Sequence, residues 1–136
     1  MNQTTLAVAA IILLLVIVFG VNFLLRRKPK QLDQPYFQDR WQTLQKLCKD
    51  KSTWPLAIID ADKLLDDALK RLKYRGKTMG ERLVSAQHEI KNNDEVWYAH
   101  KLRNRLVHEN DTKLTEKNVK EALVGIRGAL KDLGAL

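Results

Sequence analysis

The chain opens on an unbroken apolar run and then changes, past residue 33, to apolar positions recurring every three to four residues. The run, Leu6 to Leu25, reads LAVAAIILLLVIVFGVNFLL, carries no charge and holds Asn22 as its one strongly polar residue. About 20 helical residues rising ~1.5 Å each cover the ~30 Å hydrocarbon core of a bilayer. The pattern therefore predicts a transmembrane helix over residues 6–25 behind a short exterior N-terminus, residues 1–5. A cleaved secretory signal has basic residues before its apolar run and small residues at a cleavage site after it. Here Met1–Thr5 is uncharged and Arg26-Arg27-Lys28 follows the run. A core helix of a soluble domain carries a polar stripe, and none divides this one. Asn22 stands either to hydrogen-bond across a pair of such helices or to reach the membrane interface.

From residue 34 to 136 the period is that of a helix nearly throughout, which predicts an all-α domain, an up-and-down bundle of about five helices. Asp33 caps a first helix with Pro35 near its start and Phe37, Trp41, Leu44 and Cys48 along one face, ending near Asp50. Pro55 opens a longer second helix whose stripe is Leu56, Ile59, Leu64, Ala68 and Leu72, with Gly76 as its stop. Thr78-Met79-Gly80-Glu81 has capping-box spacing for a third, carrying Leu83, Val84, Gln87 and Ile90. Asn92-Asn93-Asp94 breaks the chain, and a fourth helix runs from Glu95 to Glu109 with Val96, Ala99, Leu102 and Leu106 inward. Past the polar loop Asn110-Asp111-Thr112, Thr115 caps the last helix, whose stripe is Val119, Ala122, Leu123, Ile126, Leu130 and Leu133. Trp41, Trp54 and Trp97 fall at helical positions and read as packing anchors. A domain of about 100 residues buries a modest core and gains from a second copy, so a homodimer is expected.

Charge changes the picture mainly at the membrane junction. Of the net +8, four cations, Arg26, Arg27, Lys28 and Lys30, stand in the linker 26–33, against none before the run. Basic residues resist translocation, which places the N-terminus outside the cell membrane and the bundle in the cytoplasm. The same cations attract anionic headgroups at about 1 kcal/mol each. Past residue 30, twenty basic residues face sixteen acidic ones, an excess compatible with a phosphate-bearing partner without demanding one. The single cysteine, Cys48, excludes a disulfide within the chain and agrees with a reducing compartment. There are no repeats and no Gly-rich phosphate loop, and no cofactor is implied. Asp60, Asp62, Asp66 and Asp67 lack the loop spacing of a calcium site and read as a solvated face pairing with lysines.

Candidate chemistry gathers on the fourth helix, at Arg103-Asn104-Arg105-Leu106-Val107-His108. Positions four apart share a helix face, so His100, Asn104 and His108 form one polar line with Arg103 beside it. Cleavage of RNA by its own 2′-hydroxyl needs a base for that proton, an acid for the departing 5′-oxygen, and positive charge on the phosphorane-like transition state. Imidazole exchanges protons near neutral pH, and a guanidinium grips phosphate oxygens with its planar fork, so no metal is required. Arg103 and His108 are the candidate catalytic residues, Asn104 a support, and Arg103 with Arg105 the candidate substrate-binding pair. Zinc takes three or four Cys, His or carboxylate ligands, and His88 and Glu109 have no evident place beside His100, Asn104 and His108; no metal is expected.

The hexapeptide fits, at each defined position, the motif of the HEPN domains, and Ala99-His100-Lys101-Leu102 before it and Glu109 after it are similar to that family as well. The resemblance spans residues 34–136. It implies a helical bundle and a metal-independent endoribonuclease acting on RNA, with Arg103 and His108 catalytic, Asn104 supporting, and a composite site where two subunits meet. Members controlled by nucleotide transfer carry Tyr two residues after the His, where this chain has Asn110, so that mode of control is not implied. The alternative is a non-catalytic HEPN-like binding or dimerisation module that recruits a protein or RNA to the membrane, since Arg and His in the last turns of a helix also serve its dipole and carbonyls. Geometry separates the two. An active dimer brings both copies of Arg103 and His108 together, whereas an intrachain ion pair on Arg103, with His108 turned away, favours the binding module.

Overall fold

The computed structural model describes residues 2–25 and 31–136, which fall into two compact units, one up to Lys30 and one from Gln31 onward. The basic residues Arg26, Arg27, Lys28 and Lys30 lie outside the described residues. In the first unit a single helix, α1 (Gln3–Leu25), begins ahead of the apolar run, because the backbone N–H and the hydroxyl of Thr5 both bond the Asn2 carbonyl. Its stretch Gln3–Phe23, mean hydropathy 2.9, is long and apolar enough to cross a membrane. None of its described side chains is buried.

The second unit is all-helical: α2 (Gln34–Lys46), α3 (Trp54–Arg71), α4 (Met79–Ser85), α5 (Asn93–His108) and α6 (Glu116–Asp132), with two 3-10 turns between α2 and α3. Local signals start three of these helices as their sequences require. The Asp33 carboxylate accepts from the Tyr36 N–H, the Thr78 hydroxyl from the Glu81 N–H, and the Thr115 hydroxyl from the Asn118 N–H, the last within a reciprocal capping box. Neighbouring helices run up and down. One end of the bundle gathers the start of α2, the end of α3, the start of α5 and the end of α6. There the Gln34 amide donates to the Gly134 carbonyl, the Arg71 guanidinium lies 4.3 Å from the Tyr36 ring centroid, and the Lys91 N–H donates to Asp132. At the other end the Trp54 indole N–H donates to the Cys48 carbonyl at 3.0 Å, and α5 terminates.

The core is built around α3, which packs against α2, α4, α5 and α6. Phe37, Ile58, Leu65, Leu69, Leu83, Val96, Ile126 and Leu130 are its largest fully buried side chains, each stabilising the fold by about 1.5–3 kcal/mol through burial. Being enclosed on several sides shifts the buried face of α3 from the expected stripe to Ala57, Ile58, Ala61, Leu64, Leu65, Ala68 and Leu69, and leaves Leu56 47% exposed and Ile59 half-buried. The helix also stops earlier than Gly76: Lys73 takes φ 62°, with its N–H on the Lys70 carbonyl and the Tyr74 N–H on the Leu69 carbonyl, a Schellman-type end.

Other elements differ from expectation in extent. α4 stops at Ser85, so Gln87 lies in a turn and Val84 is 53% exposed. Asn93 and Asp94, expected to break the chain, already belong to α5, and Cys48 is half-buried in the turn past α2. The α5 and α6 backbones come close at Gly125: a Cβ there would lie 2.8 Å from the Glu95 carbonyl oxygen.

Candidate functional site

The true phase of α3 sets Asp62 on its buried side, between Ile58 and Leu65, where it is 3% exposed. A carboxylate withdrawn from water is costly unless it is paired and hydrogen-bonded. Two side chains of α5 supply this. His100 Nδ1 lies 3.0 Å from Asp62 Oδ1, and Arg103 Nε lies 3.4 Å from Oδ2. The second contact is ionic rather than directional, because the buried Nε–H makes no aligned hydrogen bond. The expected solvated acidic face is thus overturned at Asp62; Asp66 is part-buried and pairs with Lys70 as expected, but with Arg82 as well.

The network closes on itself. Arg103 Nη1 donates to Asn104 Oδ1 at 2.9 Å, and Asn104 Nδ2 stands 3.4 Å from His100 Nε2. Asp62, His100, Asn104 and Arg103 form a ring of polar side chains, with the Trp97 ring edge-on to the imidazole at 5.9 Å between centroids. Arg103 remains 27% exposed. Together with His100 and Asn104 it borders a recess also lined by Lys63, Asp66, Thr78, Met79 and Gly80.

One turn along α3, Asp66 is held differently. Arg82 Nε donates to its Oδ1 at 2.7 Å and Nη2 to its Oδ2 at 3.0 Å, while Nη1 donates to the Gly76 carbonyl at 2.9 Å. Lys70 Nζ adds an ion pair at 2.8 Å. Burial pushes the Asp66 carboxyl up, but the Arg82 and Lys70 hydrogen bonds and charges outweigh it and hold the group below the usual carboxylate range. This clamp ties the loop after α3, and α4 with it, to the bundle.

His108 is the last residue of α5 and is exposed, as are Arg105 and Val107. The line of His100, Asn104 and His108 read from the sequence is therefore divided: the first two meet Asp62 and Arg103 in the ring, and His108 stands in solvent one turn beyond Asn104. Among the described residues no three His, Cys, Asp or Glu side chains gather as a metal ion would require. Asp62 is the member that reading the sequence missed. The signal was present, since Asp62 lies four residues after Ile58 and three before Leu65, inside the apolar spacing of the buried face. No family model, no curated protein and no solved structure matches the chain.

Proposed function

We propose that the protein is a membrane-tethered, HEPN-like endoribonuclease that works without a metal, with its N-terminus outside, its bundle in the cytoplasm, and a composite site completed by a second copy. The observation that supports this most is on α5: a braced yet accessible guanidinium, Arg103, shares the helix with an exposed imidazole, His108. Asp62 and Asn104 hold Arg103 from behind and leave its outer N–H groups for the non-bridging oxygens of a phosphodiester, which is preorganised stabilisation of developing charge. His108 takes the 2′-hydroxyl proton or protonates the leaving 5′-oxygen. The 2′-oxygen bonds to phosphorus as the P–O5′ bond breaks, leaving a cyclic phosphate. One exposed imidazole per α5 supplies one of these proton transfers, and His108 of the partner subunit supplies the other. Arg105, exposed on the same helix, serves flanking phosphates.

A second reading is favoured by the two features expected of it from the sequence: Asp62 pairs with Arg103 within the chain, and His108 stands apart from the ring in solvent. In that reading the domain is a non-catalytic binding or dimerisation module. The test is cleavage of a mixed-sequence labelled RNA by the full chain in detergent micelles and EDTA, beside His108→Ala and Arg103→Ala. Cyclic-phosphate products that both substitutions abolish support the nuclease; an inert, folded parent leaves the module.

A further inference from the structure

We propose that His100 is a positioning residue of this site, one whose tautomer decides whether Arg103 is held in place; the assignment rests on the reading of the protein as an RNA-cleaving enzyme. At 12% side-chain exposure His100 is far less accessible than His108, and both of its ring nitrogens already face protein groups. It acts through its neighbours.

The reasoning follows donors and acceptors around the ring. An ionised Asp62 only accepts, so the imidazole hydrogen facing it must sit on Nδ1. Nε2 then carries a lone pair and accepts from Asn104 Nδ2, which turns the amide oxygen toward Arg103 Nη1. Every contact is donor against acceptor in this arrangement alone. With the hydrogen on Nε2 instead, a lone pair would face the carboxylate and two N–H groups would oppose each other at Asn104. Turning the Asn104 amide over would relieve that clash, but would set its amino group against the guanidinium, donor against donor. The edge-on Trp97 ring fixes the imidazole plane, and Asp62 and Arg103 are the charged groups in contact with it or with Asn104, with Lys63 and Asp66 lining the same recess. The site of one imidazole hydrogen is thus transmitted through an amide to the phosphate-binding residue.

The first test reads the ring without RNA. The full chain, labelled with 15N-histidine and held in detergent micelles, contains three histidines; long-range 1H–15N spectra report the protonated nitrogen of each, and His100→Asn identifies the signal that disappears. The expected result is hydrogen on Nδ1 and a lone pair on Nε2. In Asn104→Asp the new carboxylate only accepts, so both His100 nitrogens should carry hydrogen at neutral pH. An Nε2–H tautomer in the parent, or an Asn104→Asp spectrum unchanged at His100, overturns the proposal. The second test is kinetic. His100→Leu should lower kcat roughly a hundredfold, as misplacing a binding group does, with KM moved by less than about threefold. His100→Asn keeps an N–H for Asp62 and should recover about tenfold of that loss. Parental kcat in His100→Leu, or no recovery in His100→Asn, overturns the positioning role. If the parent does not cleave RNA while the spectra show the expected tautomer, the nuclease reading falls and the ring's hold on Arg103 stands.

Discussion

Asp62 and Asp66 stand one turn apart on α3, each receives an arginine from a later helix, and they use it in opposite ways. Asp66 takes both prongs of the Arg82 fork, and a third Arg82 hydrogen bond goes to the Gly76 carbonyl, so this guanidinium is spent inside the fold. Asp62 gives one oxygen to His100 and meets Arg103 only through an unaligned contact at 3.4 Å, so that guanidinium is steadied while its outer edge stays in reach of solvent. A saturated pair is scaffold. A pair left incomplete on one side, beside a recess, is where the proposed function puts a ligand's phosphate.

The comparison breaks most severely at the site. His108→Ala should reduce RNA cleavage by about 10²–10⁴-fold, the usual value of a general acid or base, while the urea midpoint of the bundle stays at its parental value because the side chain is exposed. Arg82→Met should do the reverse. Removing Arg82 leaves Asp66 to Lys70 alone and the Gly76 carbonyl without its partner, at a cost of about 2–3 kcal/mol, seen as a lowered urea midpoint, and cleavage per folded molecule should fall far less than in His108→Ala. Asp62→Asn keeps an acceptor for His100 and removes the charge behind Arg103; about tenfold slower cleavage, or ~1.4 kcal/mol of transition-state stabilisation, is expected.

Two smaller effects sharpen the contrast. The Asp66 carboxyl titrates lower in the folded state than unfolded, so the unfolded chain binds the extra proton and stability rises with pH in that window. The contribution should be complete above about pH 4 and lost as pH falls through the folded value; urea midpoints measured across that range should show the full loss in the parent and a smaller one in Arg82→Met, where Lys70 remains. Lys73→Gly should raise stability by about 1 kcal/mol by relieving a left-handed residue with a side chain, as a higher thermal midpoint would report, with the site untouched.

What could be read from the sequence was whatever is decided within a few residues. The charge-free run of α1 and the caps at Asp33, Thr78 and Thr115 stand as read, because a cap needs only an oxygen three residues before an N–H, although the Glu81 carboxylate takes the Lys77 N–H rather than closing a box on Thr78. The phase of α3 could not be read as easily. Leucine and isoleucine at 56 and 59 compete with Ala57, Ile58 and Ala61 for the buried face, and the helices packed around it decide for the latter. Asp62 followed that error into the assumed solvent face. Likewise Arg103, Asn104 and His108 were legible as a motif on one helix, whereas the ring that sorts Arg103 and Asn104 from His108 depends on a carboxylate more than forty positions earlier in the chain than Arg103.

Gly125 constrains how this protein can change by descent. Because a methyl at that position would press on the Glu95 carbonyl, the distance between α6 and the helix bearing Arg103 and His108 is fixed by an atom that is absent. A lineage that acquires any larger residue there must displace α5, disturbing the contacts of His100 and Arg103 with Asp62 together. Neutral drift in α6 is therefore not free at this position, and recombination that brings α6 from one ancestor and α5 from another should succeed only where both ancestors kept the gap.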